Sequence, residues 1–445
     1  MWWLFLATLT ATSAVPETAP VEARSSIAVR YLQLLDGDRA VRTRALDAVT
    51  GRFAVDQVPM ALEVVRFAQD PKVVDVLWAW IARGTHTPPG DGPAAWRWLW
   101  AQTYTPHPDY ALFKATLYRN IDPKFERYFQ TTPSPRIRLD EIRWGGVRQD
   151  GIPPLRDPKL ETAPEATWLN ARDVVFGTVV DGQARAFPKR ILAWHELLTM
   201  TIGDTTIAGV YCTLCGSMIV YRTTVDGVTH DLGTSGFLYR SNKLMYDKAT
   251  QSLWSTLGGF PVVGPLADQP IGLPMHSVVT TTWGAWRERH PDTLVLSIKT
   301  GHRRDYGEGV AYRDYFATDR LMFAVPNLDD RLSNKAPVLA LRRGTDPVAI
   351  SSRFLRKHPV HHEVVDGTSL VVLTDRSGAH RVYEAQGQTF VRTDRKRTAT
   401  DRQGKTWTIT EDGLVHGDLR LPRVPAHNAF WFGWRAAWPT TRLVQ

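Results

Sequence analysis

The stretch Val174-Val175-Phe176-Gly177-Thr178-Val179-Val180-Asp181-Gly182-Gln183-Ala184-Arg185-Ala186-Phe187 reads as two short strands joined at Asp181-Gly182. Aspartate followed by glycine supplies the two positive-φ positions of a tight hairpin turn. The signal recurs at Asp226-Gly227 and Asp366-Gly367. From about residue 171 onward the chain is therefore expected to be β-rich.

Upstream the pattern is helical. Apolar residues fall at helix spacing in Ile27-Tyr31-Leu34-Leu35 and in Val73-Val74-Leu77-Trp78-Ile81. Asp70-Pro71 and Asp122-Pro123 place a capping side chain before a first-turn proline, and His107-Pro108 is a poorer version of the same signal. Residues 25–130 are thus expected to form an antiparallel helical array, with Trp96, Trp98 and Trp100 as packing residues. The proline-rich stretch 131–170, with Pro133-Ser134-Pro135 and Ile152-Pro153-Pro154, reads as a linker. The fold class expected is α+β: a helical array followed by a β-rich module.

The β-rich part carries an internal repeat. Asp204 aligns with Asp366, Gly216 with Gly378 and Tyr221 with Tyr383 without a gap. Further on, Trp254 aligns with Trp407, Trp283-Gly284-Ala285-Trp286 with Trp431-Phe432-Gly433-Trp434, and Pro291 with Pro439. This spacing predicts a first copy over 171–334 and a degenerate second copy over 335–445. Cys212 and Cys215 fall opposite Thr374 and Ser377, so the second copy reads as a structural partner without thiols.

At 445 residues the chain exceeds one ordinary core. Its 54 Lys and Arg outnumber 45 Asp and Glu, but they are scattered rather than interleaved with aromatics, which argues against nucleic acid. Seventeen tryptophans spread over the whole chain fit packing better than carbohydrate stacking. Met1-Trp2-Trp3-Leu4-Phe5-Leu6 followed by Ala11-Thr12-Ser13-Ala14 has the form of a signal peptide over 1–14, so the chain is expected to be exported, periplasmic or extracellular. No later stretch reaches transmembrane length, and the helical array is the surface expected to meet any envelope partner.

The chemistry centres on Cys212-Thr213-Leu214-Cys215-Gly216, which holds the only two cysteines. Two thiols at this spacing on a tight turn direct both sulfurs to one side, and Gly216 supplies the positive φ such a knuckle often needs. Three readings are open: a thiophilic metal site for Cu(I) or zinc, a redox-active dithiol, and a permanent local disulfide in a binding or scaffold protein. The metal reading leads here, with His195 and Met245 as the expected extra ligands. His195-Glu196-Leu197-Leu198-Thr199 begins like a zincin helix, but Thr199 stands where the second histidine is required. There is no serine-hydrolase elbow and no phosphate-binding glycine loop, so no nucleotide cofactor is expected. Ser235, Tyr239, Asn242, Tyr246, Asp247 and Trp254 are candidate pocket-lining residues, with a buried hydrogen-bond network as the equally weighted alternative.

Taken together, several of these motifs resemble the proteins of the domain of unknown function 3179 family. The likeness runs through Trp144-Gly145-Gly146-Val147, Asp150-Gly151-Ile152-Pro153, Ala184-Arg185-Ala186-Phe187-Pro188 and Trp194-His195-Glu196. It continues through Tyr211-Cys212-Thr213-Leu214-Cys215-Gly216-Ser217, Ser235-Gly236-Phe237-Leu238-Tyr239, Met245-Tyr246-Asp247 and His290-Pro291-Asp292-Thr293. The resemblance implies an exported protein with a Tyr-Cys-x-Leu-Cys-Gly-Ser motif and supplies no substrate or reaction. Thr213 stands where the family usually has proline, and Thr199-Met200 where it has an Asn-Asp pair.

Overall fold

The computed structural model describes residues 26–129, 131 and 133–445; the expected signal peptide lies outside them. The helical array comprises α1 (Ile27–Gln33), α2 (Arg39–Val49), α3 (Val58–Phe67), α4 (Pro71–Thr85), α5 (Gly92–Trp100) and α6 (Tyr110–Arg119). Three of its helices start at a capping aspartate. Asp38 accepts from Ala40 N, Asp70 from Lys72 N and Asp91 from Ala94 N, each satisfying an otherwise orphaned amide. Asp122-Pro123 opens only a 3-10 segment, Pro123–Phe129.

A buried ion pair fastens this array to the β-rich part of the chain. Lys114 Nζ lies 2.7 Å from Glu63 Oε1 and donates to Ile142 O at 2.7 Å, while Tyr118 donates to Glu63 Oε2 at 2.6 Å. Burial alone would raise the Glu63 carboxyl, but Lys114 and Arg143 hold it below its ordinary value.

The stretch 131–170 is not a linker. Ile142–Trp144 pairs with Leu232–Tyr239, Leu155–Arg156 with Leu197–Ile202, and Leu160–Thr162 with Leu294–Leu296. Its prolines interrupt strands rather than hold the chain apart, because they fall between these short pairings. The apolar core of the helical array accordingly continues into Ile142, Phe237, Leu244 and Tyr246.

Two small sheets are built alike. In one the order is Val279–Thr282, Val174–Val180, Gln183–Pro188, Leu294–Leu296, then Leu160–Thr162; in the other it is His427–Phe430, Pro337–Arg343, Asp346–Ser351, Arg442–Val444. In each, the strand that comes after the Trp-led helix runs parallel to the second strand of the opening hairpin. Those helices are Trp283–Arg289 and Trp431–Ala437. Trp286 Nε1 donates to Thr293 Oγ1 and Trp434 Nε1 to Thr441 Oγ1, both at 2.9 Å. The expected turns form, with positive φ at Asp181-Gly182, Asp226-Gly227 and Asp366-Gly367.

The sheet that matters for the site runs Met275–His276, Ser217–Arg222, Thr205–Cys212, Leu197–Ile202, Leu155–Arg156. No helix of the described residues is long and apolar enough to cross a membrane.

Candidate functional site around Cys212 and Cys215

Thr205–Cys212 and Ser217–Arg222 form a hairpin in which Cys212 faces Ser217, and residues 213–216 make its turn. Cys215 N donates to Cys212 O at 3.2 Å, and Gly216 takes φ +60°. Both cysteines are free and buried.

Cys215 is held from behind. Its sulfur lies 3.2 Å from Ser241 O, and its carbonyl accepts from Phe430 N at 2.7 Å. The helix Trp431–Ala437 can approach because Gly433 faces the thiol: a Cβ there would stand 3.2 Å from Cys215 Sγ. Asn242 Nδ2 donates to Gly433 O, and Tyr315 OH to Leu214 O, closing the same wall.

Cys212 opens instead onto a small pocket of about 60 Å³, whose lining includes Glu196, Leu214, Thr234, Leu238, Lys243, Tyr312 and Phe323. Glu196 ends the helix Lys189–His195 in the left-handed conformation, φ +56°. That reversal lets the next residues join the sheet while the carboxylate turns into the pocket. Glu196 Oε1 accepts from Tyr312 OH at 3.3 Å, and Oε2 lies 3.2 Å from Lys243 Nζ. The ammonium is not aligned on that oxygen as a hydrogen bond and has no other partner. Thr213 Oγ1, Ser217 Oγ, Ser241 Oγ and Asn242 Oδ1, all in the two turns that meet here, are also buried without a hydrogen bond. Buried polar atoms are usually satisfied, so these groups leave hydrogen-bonding capacity around the two turns.

The electrostatics separate the two thiols. Burial pushes Cys212 up, but the hydrogen bond from Cys215 and the backbone amides of Lys243 and Cys215 outweigh it, leaving Cys212 below the ordinary thiol range. Burial and the neighbouring sulfur push Cys215 well above that range. Burial lowers Lys243, with Glu196 and Cys212 opposing. Burial and then Glu196 raise Tyr312.

His195 is committed elsewhere. Its Nδ1 lies 2.8 Å from Pro153 O and its Nε2 2.6 Å from Tyr306 OH, and burial lowers it to about 4. Met245 packs with Leu197, Val210 and Trp254 in a cluster separate from the one that holds the cysteines. Among the described residues, no group of three His, Cys, Asp or Glu is placed to hold a metal.

The segment 234–243 does reach the pocket, but through Thr234, Gly236, Leu238 and Lys243. Ser235 bonds Leu244 O, Tyr246 OH bonds Asp150 Oδ2 at 2.5 Å, and Asp247 pairs with His230 Nδ1 and caps Thr250. Asn242 bonds Gly433, Trp254 is fully buried, and burial raises Tyr239. These six form the hydrogen-bonded and apolar frame of the turns. Glu196, Lys243 and Tyr312 were not singled out from the sequence. The signal available was Lys243 itself, a lone cation beside Leu244 and Met245 in the strand Asn242–Asp247. A cleft of about 700 Å³ beside α2 and α4 is lined by neither cysteine nor histidine.

A family model described as "Protein of unknown function (DUF3179)" matches residues 149–441. That span takes in the hairpin, Glu196, Lys243, Tyr312 and Gly433, and leaves out the helical array. Searches of curated proteins and of solved structures give no match. With the family model covering well over half of its length, the chain belongs to the DUF3179 family.

Proposed function

We propose that the protein is a thiol-disulfide oxidoreductase in which Cys212 is the attacking thiol and Cys215 the resolving one. The observation that carries this reading is positional: Cys212 lines the pocket, while Cys215 lies behind it against Ser241 O and Gly433. A pocket-facing first thiol held below the ordinary range and a second thiol shielded behind it are what sequential exchange requires. The Cys212 thiolate attacks one sulfur of a disulfide substrate, and the departing thiolate takes up a proton. Cys215 then gives up its proton and attacks Cys212 Sγ. The second substrate thiol leaves, a Cys212–Cys215 disulfide remains, and two electrons have passed to the substrate.

The likeness of the two small sheets supports reading 335–445 as a degenerate second copy that now serves as the back wall. Export belongs to the same proposal. Copper(I) or zinc at the two sulfurs is the competing use, but it draws no support from His195, whose ring nitrogens are both engaged.

The deciding experiment equilibrates the full chain with thiol buffers of graded potential and measures its metal content in parallel. A reversible Cys212–Cys215 couple well above the potential of structural disulfides is expected. Stoichiometric copper or zinc with no reversible couple would replace this reading by the metal one.

A further inference from the structure

The pocket at Cys212 has a neighbour. Between α3, α5 and the segment around Phe323 lies a second cleft of about 310 Å³, lined by Trp78, Trp96, Trp100, Arg66 and Arg143. Met322 and Phe323 line both spaces. These two side chains are therefore the partition between them. They sit on the connection from Leu296 to Pro337, whose one helix is the single turn Arg313–Phe316. A connection of that length inside a folded domain is typical of a binding or covering loop.

The cleft is chemically one-sided. Its walls are aromatic and aliphatic, no Asp or Glu lines it, and two guanidinium groups enter it. Arg143 lies 3.9 Å from the centroid of the Trp96 ring, and its Nε has no hydrogen-bond partner. Glu63, whose charge Arg143 helps to stabilise, is already bonded to Lys114 and Tyr118. Flat apolar walls with a preorganised cation that makes no ion pair among the described residues suit a low-mass ligand with a flat apolar body and one anionic group.

We infer that this cleft is the outer chamber of the Cys212 site, receiving an anionic, flat apolar small molecule whose far end passes the Met322–Phe323 partition to the thiol. The helical array outside the family match thus supplies substrate selection, and the matched region supplies the sulfur chemistry. Calling the occupant a substrate rests on the proposed role of Cys212; its binding does not.

The test titrates the full chain with anilinonaphthalene sulfonate and with its neutral counterpart N-phenylnaphthylamine, following fluorescence. Arg143→Gln should weaken the sulfonate about tenfold and leave the neutral probe within about twofold. Should that variant fold poorly, Arg66→Gln, on the exposed side of the cleft, is expected to act in the same direction. Cys212 alkylation by iodoacetamide, read by peptide mass spectrometry, should slow under saturating sulfonate and quicken in Phe323→Ala. Equal loss of both probes, or none, overturns the charge-selective cleft. Alkylation indifferent to both the probe and Phe323 overturns the connection to Cys212. Selective binding combined with a Cys212 no more reactive than Cys215 keeps the chamber and removes the thiol reading.

Discussion

Lys243 Nζ stands 3.2 Å from Glu196 Oε2 on the wall of the pocket into which Cys212 opens, and the ammonium has no other partner. The Glu196 charge raises Cys212. Glu196→Gln is therefore expected to increase the iodoacetamide reactivity of Cys212 at pH 6–7, whereas Lys243→Met leaves a buried carboxylate unpaired and decreases it. Lys243→Met should also cost about 3–5 kcal/mol in urea denaturation. A pH–rate profile unmoved by either change would separate the pair from the thiol.

The two cysteines should behave unequally. Cys215→Ala removes the donor that lowers Cys212, so the Cys212 profile should shift to higher pH, and mixed disulfides with a small disulfide should accumulate. Cys212→Ser should give no mixed disulfide, because Cys215 is shielded and pushed up. Mass spectrometry of the two variants after a disulfide pulse reads both outcomes.

Buried histidines should make the fold acid-sensitive. Burial lowers His380 and His427 from 6.5 to about 4. The unfolded chain takes up these protons near pH 6.5 while the native state refuses them until about 4, so stability is full above pH 6.5 and falls through this window. Each residue contributes on the order of 3 kcal/mol at most to that loss. His380 bonds Thr374 and Ser352, and His380→Gln should flatten the dependence of urea midpoints between pH 7.5 and 5. An unchanged slope would contradict this assignment.

The Glu63–Lys114 pair should matter more broken than replaced. Lys114→Met alone is expected to destabilise by about 3–5 kcal/mol, leaving Glu63 buried without its cation. Glu63→Leu combined with Lys114→Met should recover a substantial part of that loss, as read by urea denaturation of the double variant.

The hairpins were legible because Asp-Gly pairs dictate backbone conformation locally, and the helix start at Asp70-Pro71 because Asp70 caps within its own sequence. Both signals need only neighbours along the chain. The proline-rich stretch misled because composition records what cannot continue a strand, and Ile142–Trp144 pairs with residues far away. The cysteine knuckle was visible as a turn. Its surroundings were not, since Lys243, Glu196 and Tyr312 come from three separate elements and meet only after the sheets assemble. His195 attracted attention as a donor, yet the chain reverses at Glu196, and it is Glu196 that faces the pocket.

Phe430 and Gly433 close the space behind Cys215 from a segment that follows it far along the chain. During synthesis, then, the hairpin that bears both thiols emerges long before its back wall exists. Over that interval the sulfurs are open to any oxidant or metal they meet. Their pairing becomes selective only once residues 430–433 have emerged and docked, so the nascent chain is the form most vulnerable to the wrong partner.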